Sequence, residues 1–291
     1  MEIQKSFIDV EEKGVIYLVG TPIGNLNDIT FRALQILEEV DVIAAEDTRH
    51  TLKLLNHFNI KKKLVSYHEH NKVSSGHKLL EDLENGKRIA LVSDAGMPAI
   101  SDPGYEIVVE AIKKGITVIP IPGANAAITS LVASGISTKR FVFLGFLSKD
   151  KKSFIKELTE VKQYSGSIIL YESPHRIGKT LQTIKEVIGN RRISLSRELT
   201  KKHEEFLRGT IDEIIDYLES NQLKGEITVV IEGTNVIDIE KSGEEWWQSL
   251  TINEHVDFYV VKDNSIKEAI KIVAVERNIP KREIYHNYHI K

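Results

Sequence analysis

Residues 88–113 read RIALVSDAGMPAISDPGYEIVVEAIK, and this stretch decides the fold. Arg88–Ser93 is a short run of Ile, Ala, Leu and Val, followed by a turn of small and acidic residues. Pro103–Lys113 then repeats its apolar side chains every three to four positions. A strand-like run, a turn and an amphipathic helix in that order form one βα unit. The same unit recurs on both sides. Strands are predicted at Gly14–Gly20, Asp41–Glu46, Lys63–Tyr67 and Thr117–Ile121, with helices at Asp28–Glu39, Thr48–Phe58, Lys72–Glu84 and Ala124–Ala133. Asp28 and Thr48 are the expected N-caps, and Pro103 suits the first turn of its helix. Such alternation builds a mostly parallel sheet.

After Gly135-Ile136-Ser137-Thr138 the pattern restarts. Strands at Arg140–Phe146, Ser167–Tyr171, Arg192–Arg197 and Glu226–Ile231 alternate with helices at Lys151–Lys162, Ile177–Ile188 and Ile211–Glu219. The chain therefore divides into a tail (1–13), an N-terminal α/β domain (14–137), a C-terminal α/β domain (138–234) and a helical C-terminal region (235–291). In that last region Asn253–Val261, Ser265–Arg277 and Pro280–Tyr288 read as short helices. Their spacing is loosely that of a helix-turn-helix, although a helical cap on the second domain is the simpler use.

The 291 residues are 41 % hydrophobic and 28 % charged, and they include no cysteine, which excludes a disulfide scaffold, a thiolate nucleophile and a Cys-ligated zinc. The charged start MEIQKSFIDVEEKG is not a signal peptide, and no apolar run approaches the ~20 residues that span a bilayer. A cytoplasmic protein is expected, with no membrane partner. Net charge is −3, yet Lys139–Arg208 holds 16 Lys and Arg against 8 Asp and Glu, so the remainder carries −11. A basic middle in an acidic chain is a candidate polyanion surface, and equally a set of solvated helix faces.

In open α/β sheets ligands bind beyond the carboxyl ends of the strands, so the loops after each strand hold the chemistry. Gly20-Thr21-Pro22-Ile23-Gly24 has two glycines that allow close backbone approach, but it lacks the dinucleotide fingerprint. Ala45-Glu46-Asp47-Thr48-Arg49 brings two carboxylates and an arginine to a strand end. His68 and His70 alternate on one strand, but no third metal ligand is evident, and no metal is expected. In Ser93–Gly104 a pair of Asp turns accounts for Asp102, whereas Asp94 is less well explained by a turn. Pro122–Ala127 is a helix entrance with little bulk. Ser173–Thr180 ends in Gly-Lys-Thr, yet Ser173 stands where a phosphate-binding loop needs glycine, which argues against nucleotide hydrolysis.

GTPIGNLNDIT, AEDTRHT, YHEHN, LVSDAGMPAISDPGY, IPGANAAITSL, GFL, LYESPHRI, RELTKKHEEFLRGT and GEITVVIEG occur in this order within residues 15–233. Together they resemble the ribosomal RNA small-subunit methyltransferase I family of the tetrapyrrole methylase superfamily. The resemblance implies a two-domain α/β fold with a cleft that binds S-adenosylmethionine. It also implies 2′-O-methylation of a cytidine ribose in the decoding region of small-subunit (16S) ribosomal RNA, and a homodimer. By the same match, Thr21, Pro22, Asp94, Met97, Ala124, Ala126, Phe146, Tyr171 and Thr228 surround the cofactor. The sequence departs from the family pattern at Met97, Ala99 and Asn125, where threonine, leucine and serine are usual.

Methyl transfer to a ribose hydroxyl needs in-line positioning and a proton acceptor. Glu46, Asp47, His68, Glu172 and His175 are the acceptors at strand ends, with the Glu46/Asp47 pair first and Arg49 to orient it or to grip a phosphate. Arg140, Lys149, Lys151, Lys152, Arg176, Arg197, Lys201 and Lys202 are the candidates for RNA phosphate contacts. The partner is small-subunit ribosomal RNA or the small ribosomal subunit. Two other readings stay open: a methyltransferase acting on a small tetrapyrrole-type molecule, and a non-catalytic RNA-binding factor on the same fold.

Overall fold

Val15–Val19 (β1), Val42–Ala45 (β2), Lys63–Ser66 (β3), Arg88–Val92 (β4) and Thr117–Ile121 (β5) pair in the order β3-β2-β4-β1-β5, every pair parallel. These strands carry apolar residues on both faces because both faces are covered. Phe31–Glu39 (α1) and Thr48–His57 (α2) pack on the face that includes Val19, Ile43 and Ala45. Lys72–Glu84 (α3) and Tyr105–Lys113 (α4) cover the face of Ile16, Ala44 and Leu91. The computed structural model describes residues 3–5, 13–234, 247, 250–261 and 264–289, so most of the expected tail and the start of the expected C-terminal region lie outside the described residues. No described helix is long and apolar enough to cross a membrane.

The second sheet is mixed. Phe141–Phe146 (β6), Ser167–Glu172 (β7), Arg192–Arg197 (β8), Glu205–Thr210 (β9) and Ile227–Ile231 (β10) run in the order β6-β7-β10-β8-β9. Only β6 and β7 are parallel, and the other three pairings are antiparallel. Strand β9 was not among the sequence expectations. It is a half-buried edge strand whose residues, Glu205-Phe-Leu-Arg-Gly-Thr210, mix charge with apolar side chains and never form an apolar run. Lys151–Glu160 (α6), Ile177–Ile188 (α7) and Ile211–Ser220 (α8) cover one face around Leu158, Leu181 and Leu195.

The opposite face is covered by Ala126–Ala133 (α5), which enters from the first sheet and packs Ala127 and Leu131 on Ile169 and Val230. There the Ser130 and Ser196 hydroxyls meet at 2.7 Å. Residues 1–233, with both sheets, form one compact unit.

Local chemistry sets the helix starts differently from expectation. The Thr30 side chain, not that of Asp28, caps α1 by accepting from the Ala33 N–H, because residues 26–28 coil into a separate 3-10 turn. Asp47, not Thr48, caps α2. Pro103 lies ahead of α4, which starts only after Gly104 has taken φ 148°, a backbone state glycine alone adopts readily. A capping box of Thr210 and Glu213 starts α8.

Residues 234–291 make a second compact unit, in which Ile252–Val261 (α9), Ile266–Glu276 (α10) and Lys281–His289 (α11) enclose Val256, Ile270, Val273 and Ile284. His255 is fully buried there, with its Nε2 2.8 Å from Glu276 Oε2 and its Nδ1 accepting from Arg277 Nε at 3.1 Å. Burial holds the His255 imidazole below its ordinary pKa, which favours the neutral ring.

Candidate functional site

Strand β1 and strand β4 deliver the first two walls of a cavity of about 450 Å³. Their loops are tied together where Thr21 and Gly96 exchange backbone hydrogen bonds of 2.9 and 3.1 Å. Thr21 is buried, and its hydroxyl donates to the carbonyl of Ser93 at 3.2 Å. A Cβ on Gly20 would sit 2.7 Å from Gly123 Cα, and one on Gly24 would meet the Leu199 carbonyl oxygen at 2.9 Å. Both glycines therefore serve close contacts between loops, where the sequence had suggested close approach to a ligand.

Both sheets contribute walls. From the first come Ile23, Glu46, the Asp94–Met97 turn, Ile100–Asp102 and the α5 entrance at Asn125 and Ala126. From the second come Phe146, Tyr171–Pro174 and the start of β10 at Gly225–Thr228. The antiparallel course of β10 brings its first residues to the same end as the last residues of β6 and β7. Phe146 and Tyr171 lie ring to ring at 5.4 Å.

Six of the nine expected cofactor residues line this cavity: Asp94, Met97, Ala126, Phe146, Tyr171 and Thr228. Thr21 lies behind the wall as the tie described above, and Pro22 and Ala124 are not among the lining residues. The cavity also takes in Ile23, Ile100, Asp102, Glu172 and Gly225–Ile227, which the cofactor assignment had not included.

The acidic residues divide by role in the fold. Burial pushes the Glu46 carboxyl up, as do the charges of Asp94 and Asp47, while an Asp94 N–H at 3.4 Å pulls it down. Asp47 is anchored: Oδ1 accepts from the Arg49 backbone at 2.8 Å and Oδ2 from the Arg49 guanidinium at 2.7 Å, which holds the carboxyl well below the usual range. Asp94 Oδ1 accepts the Asp47 N–H at 3.0 Å. Asp102 is pushed up to about 6, first by burial and then by the charge of Glu46, with Asp94 adding to it and the Ser93 hydroxyl opposing. A local Asp turn accounts for this residue in the sequence, but not for its place in the cavity wall.

Of the remaining candidates, Arg49, His68 and His175 lie outside the lining, whereas Glu172 belongs to it. Arg49 projects into solvent apart from its grip on Asp47. His68 is half-buried and close enough to Glu46 to favour its ionised form, while His175 is exposed. Glu172 is buried, accepting from the Thr180 hydroxyl at 2.6 Å and pairing with Arg176 at 3.5 Å. Gly178, Lys179 and Thr180 thus belong to α7 itself.

Among the basic residues, Lys149, Lys151, Lys152 and Lys202 are exposed. The first three follow the cavity end of β6, and Lys202 follows that of β8. Arg197 pairs with Glu205, and Lys201 with Glu198 and Glu226. Arg140 precedes β6 and so sits at the strand end away from Phe146.

The sequence profile described as Tetrapyrrole (Corrin/Porphyrin) Methylases matches residues 15–215. A protein of Halalkalibacterium halodurans named ribosomal RNA small subunit methyltransferase I is 55 % identical over 289 residues, covering 99 % of both chains. Its namesake in Bacillus subtilis is 54 % identical over 288 residues (99 % of this chain, 98 % of that one). The Synechocystis protein of the same name is 45 % identical over 273 residues (94 % and 96 %). Among solved structures, a cobalt precorrin-4 methyltransferase superposes with a TM-score of 0.59 at 17 % identity, covering 75 % of this chain and 94 % of its own. The uroporphyrin-III C-methyltransferase of Thermus thermophilus gives 0.55 at 19 % identity, covering 79 % and 98 %. At those identities the structures speak for the fold, and the sequence relatives place the branch: this chain belongs to the ribosomal RNA small subunit methyltransferase I family of the tetrapyrrole methylases.

Proposed function

We propose that the protein transfers a methyl group from S-adenosylmethionine to the ribose 2′-hydroxyl of a cytidine in the decoding region of small-subunit ribosomal RNA. One observation carries this reading: a cavity of about 450 Å³ gathers strand-end loops from both sheets, within the range of small-molecule sites. The relatives' names supply the class of acceptor. The residues present fit the donor's chemistry. Ile23, Met97, Ala126 and Tyr171 offer apolar surface to a purine, and Glu46, Asp94 and Asp102 supply negative charge for a cationic sulfur. When bound, S-adenosylmethionine supplies an electrophilic methyl group on a sulfonium. The protein's part is orientation and exclusion of water: the Thr21–Gly96 tie fixes the floor, while Phe146 and Tyr171 close the wall from the second sheet.

Lys149, Lys151, Lys152 and Lys202 would meet the RNA backbone at the rim, with 14–137 and 138–234 as the two lobes that hold the cleft. The family resemblance adds a homodimer acting in the cytoplasm. Radiolabelled donor, incubated with small ribosomal subunits or with a tetrapyrrole-type acceptor, tests the reading. Label is expected in a cytidine ribose of the RNA. Label in the macrocycle would establish the small-molecule reading, and no label with either acceptor would leave a non-catalytic RNA-binding factor.

A further inference from the structure

The turn between β4 and α4 is backbone-strained at residues that are not glycine. Ala99 and Ser101 stand at φ 67° and 62°, and Gly104 at 148°. Left-handed Ala and Ser are uncommon, and such outliers persist only where the surroundings impose them, characteristically at functional sites. Here the surroundings are tight. A Cβ on Gly104 would meet Ala99 Cβ at 3.0 Å and Leu91 Cδ2 at 3.1 Å, and one on Gly145 of β6 would meet Ser101 Oγ at 3.0 Å. The turn is therefore wedged between β4 and the second sheet, and its product is the placement of Asp102 in the cavity wall with Glu46 and Asp94.

Of these three carboxylates, two are tied to backbone. Asp94 accepts the Asp47 N–H, and Glu46 receives the Asp94 N–H. Asp102 is half-buried, and the hydroxyl of Ser93 favours its ionised form. A carboxylate with spare acceptor capacity, facing a cavity and crowded by like charge, binds a proton readily.

We propose that Asp102 is the proton acceptor of the methyl-transfer site, delivered to it by the strained Ala99–Gly104 turn. This rests on the reading of the cavity given above. As the acceptor oxygen bonds to the methyl carbon, the carbon–sulfur bond breaks with its electron pair remaining on sulfur. The hydroxyl proton passes to an Asp102 carboxylate oxygen and from there to solvent. Glu46 and Asp94 act on Asp102 as neighbouring negative charges that raise its basicity. Asp47, already committed to Arg49, takes no part in proton transfer.

The test compares wild type with Asp102→Asn, Asp102→Glu and Ser93→Ala on small ribosomal subunits, as kcat/KM for the donor against pH, because that ratio reports the free enzyme. Wild type should lose activity as pH falls through about 6. Asp102→Asn should lose that limb and roughly 10²–10⁴-fold in kcat, with little change in KM for RNA. Asp102→Glu should recover part of the rate, and Ser93→Ala should move the limb to higher pH. A readout without donor accompanies this: in ¹³C-labelled free protein, one aspartate carboxyl signal should titrate at about 6 and vanish in Asp102→Asn. Should Asp102→Asn fail to fold, the Glu and Ser93 variants carry the test. Ribose labelling that continues at an undiminished rate in Asp102→Asn, or an unmoved limb in Ser93→Ala, overturns the role of Asp102 alone. Absence of ribose label from wild type overturns both it and the reading on which it rests.

Discussion

Asp102 shows how a single side chain can cost stability where it serves chemistry. Its carboxyl is raised from 3.8 to about 6, so the native state holds the proton more tightly than the unfolded chain does. Stability should therefore fall as pH rises through that window, and the cost is complete above it. Asp102→Asn is expected to be more stable than wild type at pH 8 by about 1–2 kcal/mol, after discounting for a group that remains partly solvated, with the gap closing towards about pH 4. Urea unfolding at the two pH values checks both size and sign. An equal gap at both would mean that the carboxyl is not shifted. Gly20 is the second case. With Gly123 Cα 2.7 Å from where its Cβ would stand, Gly20→Ala should cost about 1–3 kcal/mol by overpacking and weaken donor binding as the loops part. Calorimetry and thermal melting read the two effects separately. The two glycines of Gly20–Gly24 are conspicuous in the sequence, but their reason is hidden there, because the atoms that crowd them belong to loops far away along the chain, at Met97, Gly123 and Leu199–Lys201. Asp102 was missed for a similar cause: an Asp before Pro-Gly satisfies local turn chemistry completely, and only the fold reveals the company it keeps.

At the scale of elements, apolar periodicity made most of the molecule legible. Thr117–Ile121, Arg192–Arg197, Lys72–Glu84 and Ile177–Ile188 have the very limits read from the pattern. The failures share one physical origin, which is that tertiary contact outweighs local preference. Residues Asp28 and Pro103 carry good cap and first-turn propensities, yet α1 and α4 start later because a 3-10 turn and the strained 99–104 turn come first. Strand β9 escaped because an edge strand that pairs with β8 alone has no need of a buried run. Where burial is complete, the consequence of substitution is simple. Leu181 in α7 is fully buried against the second sheet, and Leu181→Ala should cost about 2–5 kcal/mol, read as a shift in the urea midpoint with unchanged slope.

For the whole molecule, charge placement matters more than net charge. The basic segment Lys139–Arg208 looked uniform in sequence, but the fold sorts it: Arg176, Arg197 and Lys201 are engaged by acidic partners, and Arg140 lies at the strand end away from the cavity. Lys149, Lys151 and Lys152 remain exposed at the cavity end. Neutralising these three together should flatten the slope of log K against log salt for RNA by roughly 2, at about 0.7 per lost phosphate contact. Arg140→Ala should leave that slope unchanged, and filter binding across a salt series distinguishes the two. The division near Ser137 read from the pattern also meets a feature that sequence could not show, namely that α5 springs from the first sheet and covers the second. An author of synthetic chimeras who joined residues 1–137 of this protein to a foreign second half would import a helix cut to fit another floor. Successful grafts must carry Ala127, Leu131 and their seat at Ile169 and Val230 as one inherited block.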